Sequence, residues 1–336
     1  MNKYKLSTLA ILIFSTLIIS CSSNDDGGGD IETEFGKVFV SSNISPVVGI
    51  YDFSDSNNVS SVQFGTSSTD SDGIIYSSST DQLFVASRTN NRIEVYSDLK
   101  QTEVSANLNL SLNSTTDFTN ARKLAGTGST LVVSQDASPS NSEQNRFFVY
   151  EVNESSITLQ NTYDPEINLW DMQFSGNTLY AIQDNSDTLA VYNNFLSNSD
   201  GVVSPTQKVQ VEGIVRTHAL FYSASSDIML LSDIGDADSG TDGAIHIIES
   251  FSTKLAAAGT NGAISQSDQI IIEGSNTQLG NPVGLAFDPV SGKIFVAERK
   301  VDGGKLLSFD FSGSGGNLNP SFSQNFSGAA AVYFAN

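Results

Sequence analysis

One short apolar segment recurs along most of the 336-residue chain, at residues 38–43, 83–88, 131–136, 179–184, 229–234 and 294–299. The first positions of these segments are 45, 48, 48, 50 and 65 residues apart. After each comes a polar turn and a second short strand, closing near Tyr51, Tyr96, Tyr150, Tyr192, Ile248 and Phe309. Strands this short, rich in Val, Ile, Phe and Tyr and bounded by Gly, Asn, Asp and Ser, are β-hairpin signals. A repeat of about 40–50 residues is the period of a propeller blade. A further strand precedes five of the hairpins, at 73–76, 122–125, 170–174, 218–222 and 283–287. The first hairpin lacks one upstream, and residues 329–334 have the same character at the other end of the chain. The sequence therefore predicts an all-β fold, a six-bladed β-propeller of four-stranded blades. Its C-terminal strand joins the N-terminal blade and removes two exposed sheet edges. The 65-residue interval reads as long loops within blade five. No stretch after the N-terminal segment carries a 3.6-residue apolar period, so helix is expected to be scarce.

The N-terminus reads as an address. Lys3 and Lys5 precede an apolar run at 9–19 that is short for a bilayer span. The run ends in Ile18-Ile19-Ser20-Cys21, which resembles the lipobox of bacterial lipoproteins. That resemblance implies cleavage after residue 20 and lipidation of Cys21, with membrane attachment through acyl chains. Cys21 is the chain's one cysteine, so an intrachain disulfide and a thiolate zinc site are excluded. Residues 21–35 read as a flexible Gly- and Ser-rich tether, and 36–336 as the propeller domain. Asp25-Asp26 behind the cysteine resembles the export signal that carries some Gram-negative lipoproteins to the outer face of the outer membrane. The implied location is the outer membrane, facing the exterior. Removing residues 1–20 takes away two lysines and leaves 14 bases against 37 acids, a net charge of −23. Such an excess repels a phosphate backbone and argues against nucleic acid as a partner. It suits a soluble, monomeric domain.

Blade six carries the clearest motif, Asn281-Pro282-Val283-Gly284-Leu285-Ala286-Phe287-Asp288-Pro289 followed by Gly292-Lys293-Ile294-Phe295-Val296-Ala297-Glu298-Arg299. It resembles an NHL or YVTN-type repeat; the likeness is partial in blades two and four and poor in three and five. Proteins with such repeats include lactonases, sugar dehydrogenases and pure interaction modules, so fold does not settle function.

In propellers, ligands bind where loops enter the inner strands and where the second strand turns into the third. The first loop set supplies Asp72, Asn120, Arg122, Asn168, Trp170, Asp171, Arg216, Thr217, His218 and Asn281. The second supplies Asn43, Arg88, Gln135, Asp136, Gln183, Asp184, Asp233, Glu298 and Arg299. Bases are rare in this chain, so Arg216 and His218 stand out as a pair able to hold a carboxylate, Arg through its bidentate fork. Asp236, Asp238 and Asp242 alternate on a Gly-containing loop, a pattern able to offer oxygens to Ca²⁺. Two histidines are too few for a multi-histidine metal centre. Asp187-Thr188-Leu189 resembles an O-glycosylation sequon of bacteria rich in surface lipoproteins.

The expected function is a lipid-anchored binding module for a glycan, peptide or protein partner. The alternative, implied by resemblance to metal-dependent propeller lactonases, would use Asn168, Asn281, Asp171 and Asp72 on the channel axis. No glutamate begins an inner strand here, a departure from those enzymes. A quinone-dependent dehydrogenase with His218 as base is a third reading.

Overall fold

The computed structural model describes residues 36–104 and 106–335. The signal segment, Cys21 and the tether lie outside the described residues. The rest is a six-bladed β-propeller. Five blades start with an inner strand, Ser71–Ser77, Ala121–Thr127, Leu169–Ser175, Leu220–Ser223 and Pro282–Asp288. Blade one takes its inner strand from the far end of the chain, where Ala329–Ala335 pairs antiparallel with Lys37–Ser42. Each inner strand contacts the next and the last returns to the first, so the ring is closed. Six apolar clusters, one between each pair of neighbouring blades, form the core. The tyrosines that end the third strands, Tyr51, Tyr96, Tyr150 and Tyr192, are all buried there. Burying such a side chain stabilises the fold by about 1.5–3 kcal/mol.

The long interval before blade six, long enough to have held an extra blade, lies within blade five as expected. It separates Ala244–Glu249 from Ile270–Glu273 and contains the one α-helix among the described residues, Phe251–Ala258. Phe251 and Leu255 anchor that helix between blades four and five. Two sheets have five strands instead of the expected four. Gly201–Val203, from the segment between two strands of blade four, adds in parallel to blade three. Ala263–Ile264, from blade five, adds in parallel to blade four. Single parallel bridges, Gly65 to Asn107 and Ile272 to Gly316, tie blade one to two and five to six. Covering an outer strand in this way leaves fewer free edge groups.

The inner strands share an irregularity. Where blades two, three and six enter the axis, the register skips Asp72, Arg122 and Val283. In blade four it skips Trp170 and Asp171, and in the closing strand Ala330. A bulge bends the strand and re-aims the side chain at that point. The same place in five blades thus turns residues toward the axis.

Candidate functional site

Three of the bulged residues, Asp72, Arg122 and Trp170, build a polar plug across the mouth of the channel with Arg88, Asp136, Asp184, Arg216 and His218. Asp72 sits between two guanidinium groups, 3.2 Å from Arg88 Nη1 and 3.3 Å from Arg122 Nη1. Arg122 donates from Nε and Nη2 to Asp136 Oδ2 at 3.1 and 2.8 Å. Arg88 also donates to Asn120 Oδ1 at 2.7 Å and meets Asp70 at 3.3 Å. Burial, with repulsion from Asp72 added to it, pushes the Asp70 carboxyl up, against the pull of Arg88 and Arg122. The Arg122 guanidinium lies 4.0 Å above the centre of the Trp170 ring. On the other face of Trp170 the His218 imidazole stacks at 3.7 Å and 8°. His218 Nε2 is 3.1 Å from Asp184 Oδ1, and Arg216 donates to the same oxygen from Nε and Nη2 at 3.1 Å. A continuous chain of charge and π contacts therefore crosses blades two to five. Asp233 fixes one end of it by accepting the backbone N–H groups of Val215 and Arg216.

The electrostatics follow from burial. Desolvation pushes His218 down to about 4, against the opposing pull of Asp184, so the ring is neutral at pH 7. A carboxylate only accepts, so Nε2 carries the proton and Nδ1 the lone pair. Nδ1 is buried and has no hydrogen-bond partner. Burial raises the Asp184 carboxyl, but the His218 hydrogen bond and the Arg216 charge outweigh it and hold it below the usual range. Asp184 thus orients the His218 ring and fixes its tautomer, and no hydroxyl is bonded to Nδ1.

The remaining expected site residues fall elsewhere. Glu298 is fully buried and accepts backbone N–H groups from Gly280, Asn281, Lys300 and Val301. Its burial pushes the carboxyl up, and the four amides oppose this. Arg299 donates to Asn43 Oδ1 at 2.8 Å and links blade six to blade one. Asn168 accepts from Asn145 at 3.1 Å at an exposed loop end. Asn281 Oδ1 is buried without a partner. The side chains of Asp72, Asp171 and Asn168 thus hold different partners, and Asn281 Oδ1 holds none. In the acidic loop, Asp236 Oδ1 accepts from the Asp238 N–H and Asp242 Oδ2 from the Asp236 N–H. Among the described residues no three or more His, Cys, Asp or Glu side chains group as metal ligands would.

Asp171 does not reach the mouth. It lies one layer deeper, with both oxygens accepting backbone amides, from Met172 at 2.7 Å and Leu220 at 3.1 Å. Beside it the axis holds a residue the sequence reading passed over, Lys123. Its Nζ crosses the channel and donates to Val283 O at 2.8 Å and Ala330 O at 2.9 Å. Those acceptors are the bulged residues of blade six and of the closing strand. Burial pushes Lys123 down and Asp171 up, and the charge of each opposes the shift of the other. The signal for Lys123 was present, a second base beside Arg122 within the inner strand.

Beneath Lys123 and Asp171 the channel widens into a cavity of about 1030 Å³ that opens on the opposite face of the ring. No residue of the plug lines it. The open end of the axis is therefore the one opposite the expected mouth.

No family model matches this chain, and no curated protein matches it. Solved structures are similar in fold. A candidate 6-phosphogluconolactonase from Bacteroides fragilis NCTC 9343 is 11% identical with a TM-score of 0.58, over 92% of this chain and 100% of that one. A chain of a nidogen/laminin complex is 10% identical with a TM-score of 0.60, over 88% and 97%. The WD40 β-propeller domain of Doa1 is 10% identical with a TM-score of 0.52, over 88% and 80%. At such identities the likeness shows the β-propeller fold alone.

Proposed function

We propose that the chain is a non-catalytic binding module, lipid-anchored through Cys21 in the outer membrane and displayed to the exterior, where it takes a glycan, peptide or protein partner. One observation carries this reading: the charged groups at the channel mouth are bonded to one another. Arg122, Arg88 and Arg216 each hold an aspartate, and His218 is a neutral base without a nucleophile. Such a mouth is preorganised by its own hydrogen bonds, which lowers the ordering cost of recognition. A lactonase or dehydrogenase needs a reactive group held ready; here the arginines and aspartates of the mouth are paired with one another, and no nucleophile among the described residues is bonded to the free His218 Nδ1. The acid excess keeps such a domain soluble.

A glycan array probed with the full chain, run alongside a lactone panel with and without chelator, tests this. Saturable glycan binding insensitive to chelator is the expected result. Chelator-sensitive turnover of a lactone would overturn the reading. Cys21→Ser is expected to move the protein from the membrane fraction to the soluble one, and retention there would remove the anchor from the proposal.

A further inference from the structure

The axial cavity is separate from the mouth, and this inference does not rest on the binding face proposed above. Its lining is mixed: Ile75, Phe84, Phe174, Phe221, Phe287 and Val332 supply apolar wall, and polar residues such as Gln173, Ser77 and Ser129 lie among them. Phe174 and Phe221 are only half-buried, so the walls keep apolar surface open to a ligand. A cavity of about 1030 Å³ is of the size that encloses a drug-sized molecule.

The closed end is polar and built. The Lys123 ammonium has three N–H groups, two of which donate to carbonyls. The third has no acceptor among the described residues. Each Asp171 oxygen accepts one amide and has a further lone pair. Lys123 and Asp171 both line the cavity, so a donor and an acceptor sit together at its end. The two charged groups that line this end, Lys123 and Asp171, are of opposite sign. A charged head group would bring an uncompensated charge into a buried place, which is costly. A hydroxyl both accepts and donates, and satisfies both groups without adding charge.

We propose that the axial cavity binds an uncharged amphiphile, an apolar body that ends in a hydroxyl group directed at Lys123 and Asp171. The test is calorimetry on the full chain in nanodiscs, with empty nanodiscs as the blank and 1-octanol, octanoate and octylammonium as probes. The expected result is saturable binding of 1-octanol, with both charged probes weaker by about tenfold or more. Lys123→Met should weaken 1-octanol by about tenfold, the loss of one hydrogen bond to a charged donor. Lys123 also straps blade three to blades six and one, so this variant could fail to fold. The double variant Ser77→Phe/Ser129→Phe leaves the polar end intact and should abolish binding. Equal or tighter binding of octanoate or octylammonium would overturn the proposal, as would unchanged binding in the double variant or no saturable heat with 1-octanol.

Discussion

His218 shows how a single residue takes its properties from what surrounds it. An exposed histidine titrates near 6.5. Here desolvation between Trp170 and Asp184 lowers it to about 4. The sign follows from proton linkage. Between about 6.5 and 4 the unfolded chain binds the proton and the folded ring does not, so stability falls as pH falls through that window. The contribution is of the order of 3 kcal/mol, fully present above the window. His218→Phe preserves the stack on Trp170 and removes the titration. Its thermal midpoint is expected to lose much of its pH dependence between 6.5 and 4, whereas an unchanged profile would place the titration elsewhere. As the chain's one tryptophan, Trp170 gives a second readout, because ring protonation beside it changes its fluorescence. The sequence singled out His218 and Arg216 as scarce bases but offered them to a ligand. Asp184 already occupies both.

Among the elements, the inner strands decide what reaches the axis. Their bulges bring Asp72, Arg122 and Trp170 together and aim the Val283 and Ala330 carbonyls at Lys123. Strand positions were legible as alternating apolar runs between polar turns. The bulges were not, because in blades two, three and six each falls at the second residue of its strand, where too little alternation precedes it to show the change of phase. Close approach of neighbouring inner strands sets a second demand. A Cβ on Gly73 would stand 2.7 Å from Leu124 N and 2.9 Å from Lys123 C, both backbone atoms that cannot swing aside. Gly73→Ala is therefore expected to destabilise the fold by about 1–3 kcal/mol, measured by denaturant unfolding. An unchanged midpoint would mean that blades two and three can move apart at no cost. The parallel strands at Gly201–Val203 and Ala263–Ile264 were equally invisible, since each pairs with a blade other than the one its sequence belongs to.

For the whole molecule, ring closure is the governing event. The closing strand runs from Ala329 to Ala335 and pairs with Lys37 to Ser42 across nearly the full length of the chain. Without it, blade one would offer an open edge and the cluster between blades six and one would lose Ala329 and Val332. Deleting residues 329–336 is expected to abolish the single cooperative unfolding transition and to produce association through the exposed edge. A monomeric, cooperatively unfolding product would show that five complete blades suffice. The sequence by itself determined the blade count, the strand order and the circular closure. These follow from local periodicity and from a repeat that no blade can satisfy alone. It also marked most residues of the plug among the polar side chains at strand ends, though Asn168, Glu298 and Arg299, marked in the same way, fall elsewhere. Only the tertiary structure decided that those residues bind one another and that the channel opens on the opposite face. Both depend on side chains from different blades meeting at one point, and residues as distant in sequence as Lys123 and Ala330 carry no local record of that meeting.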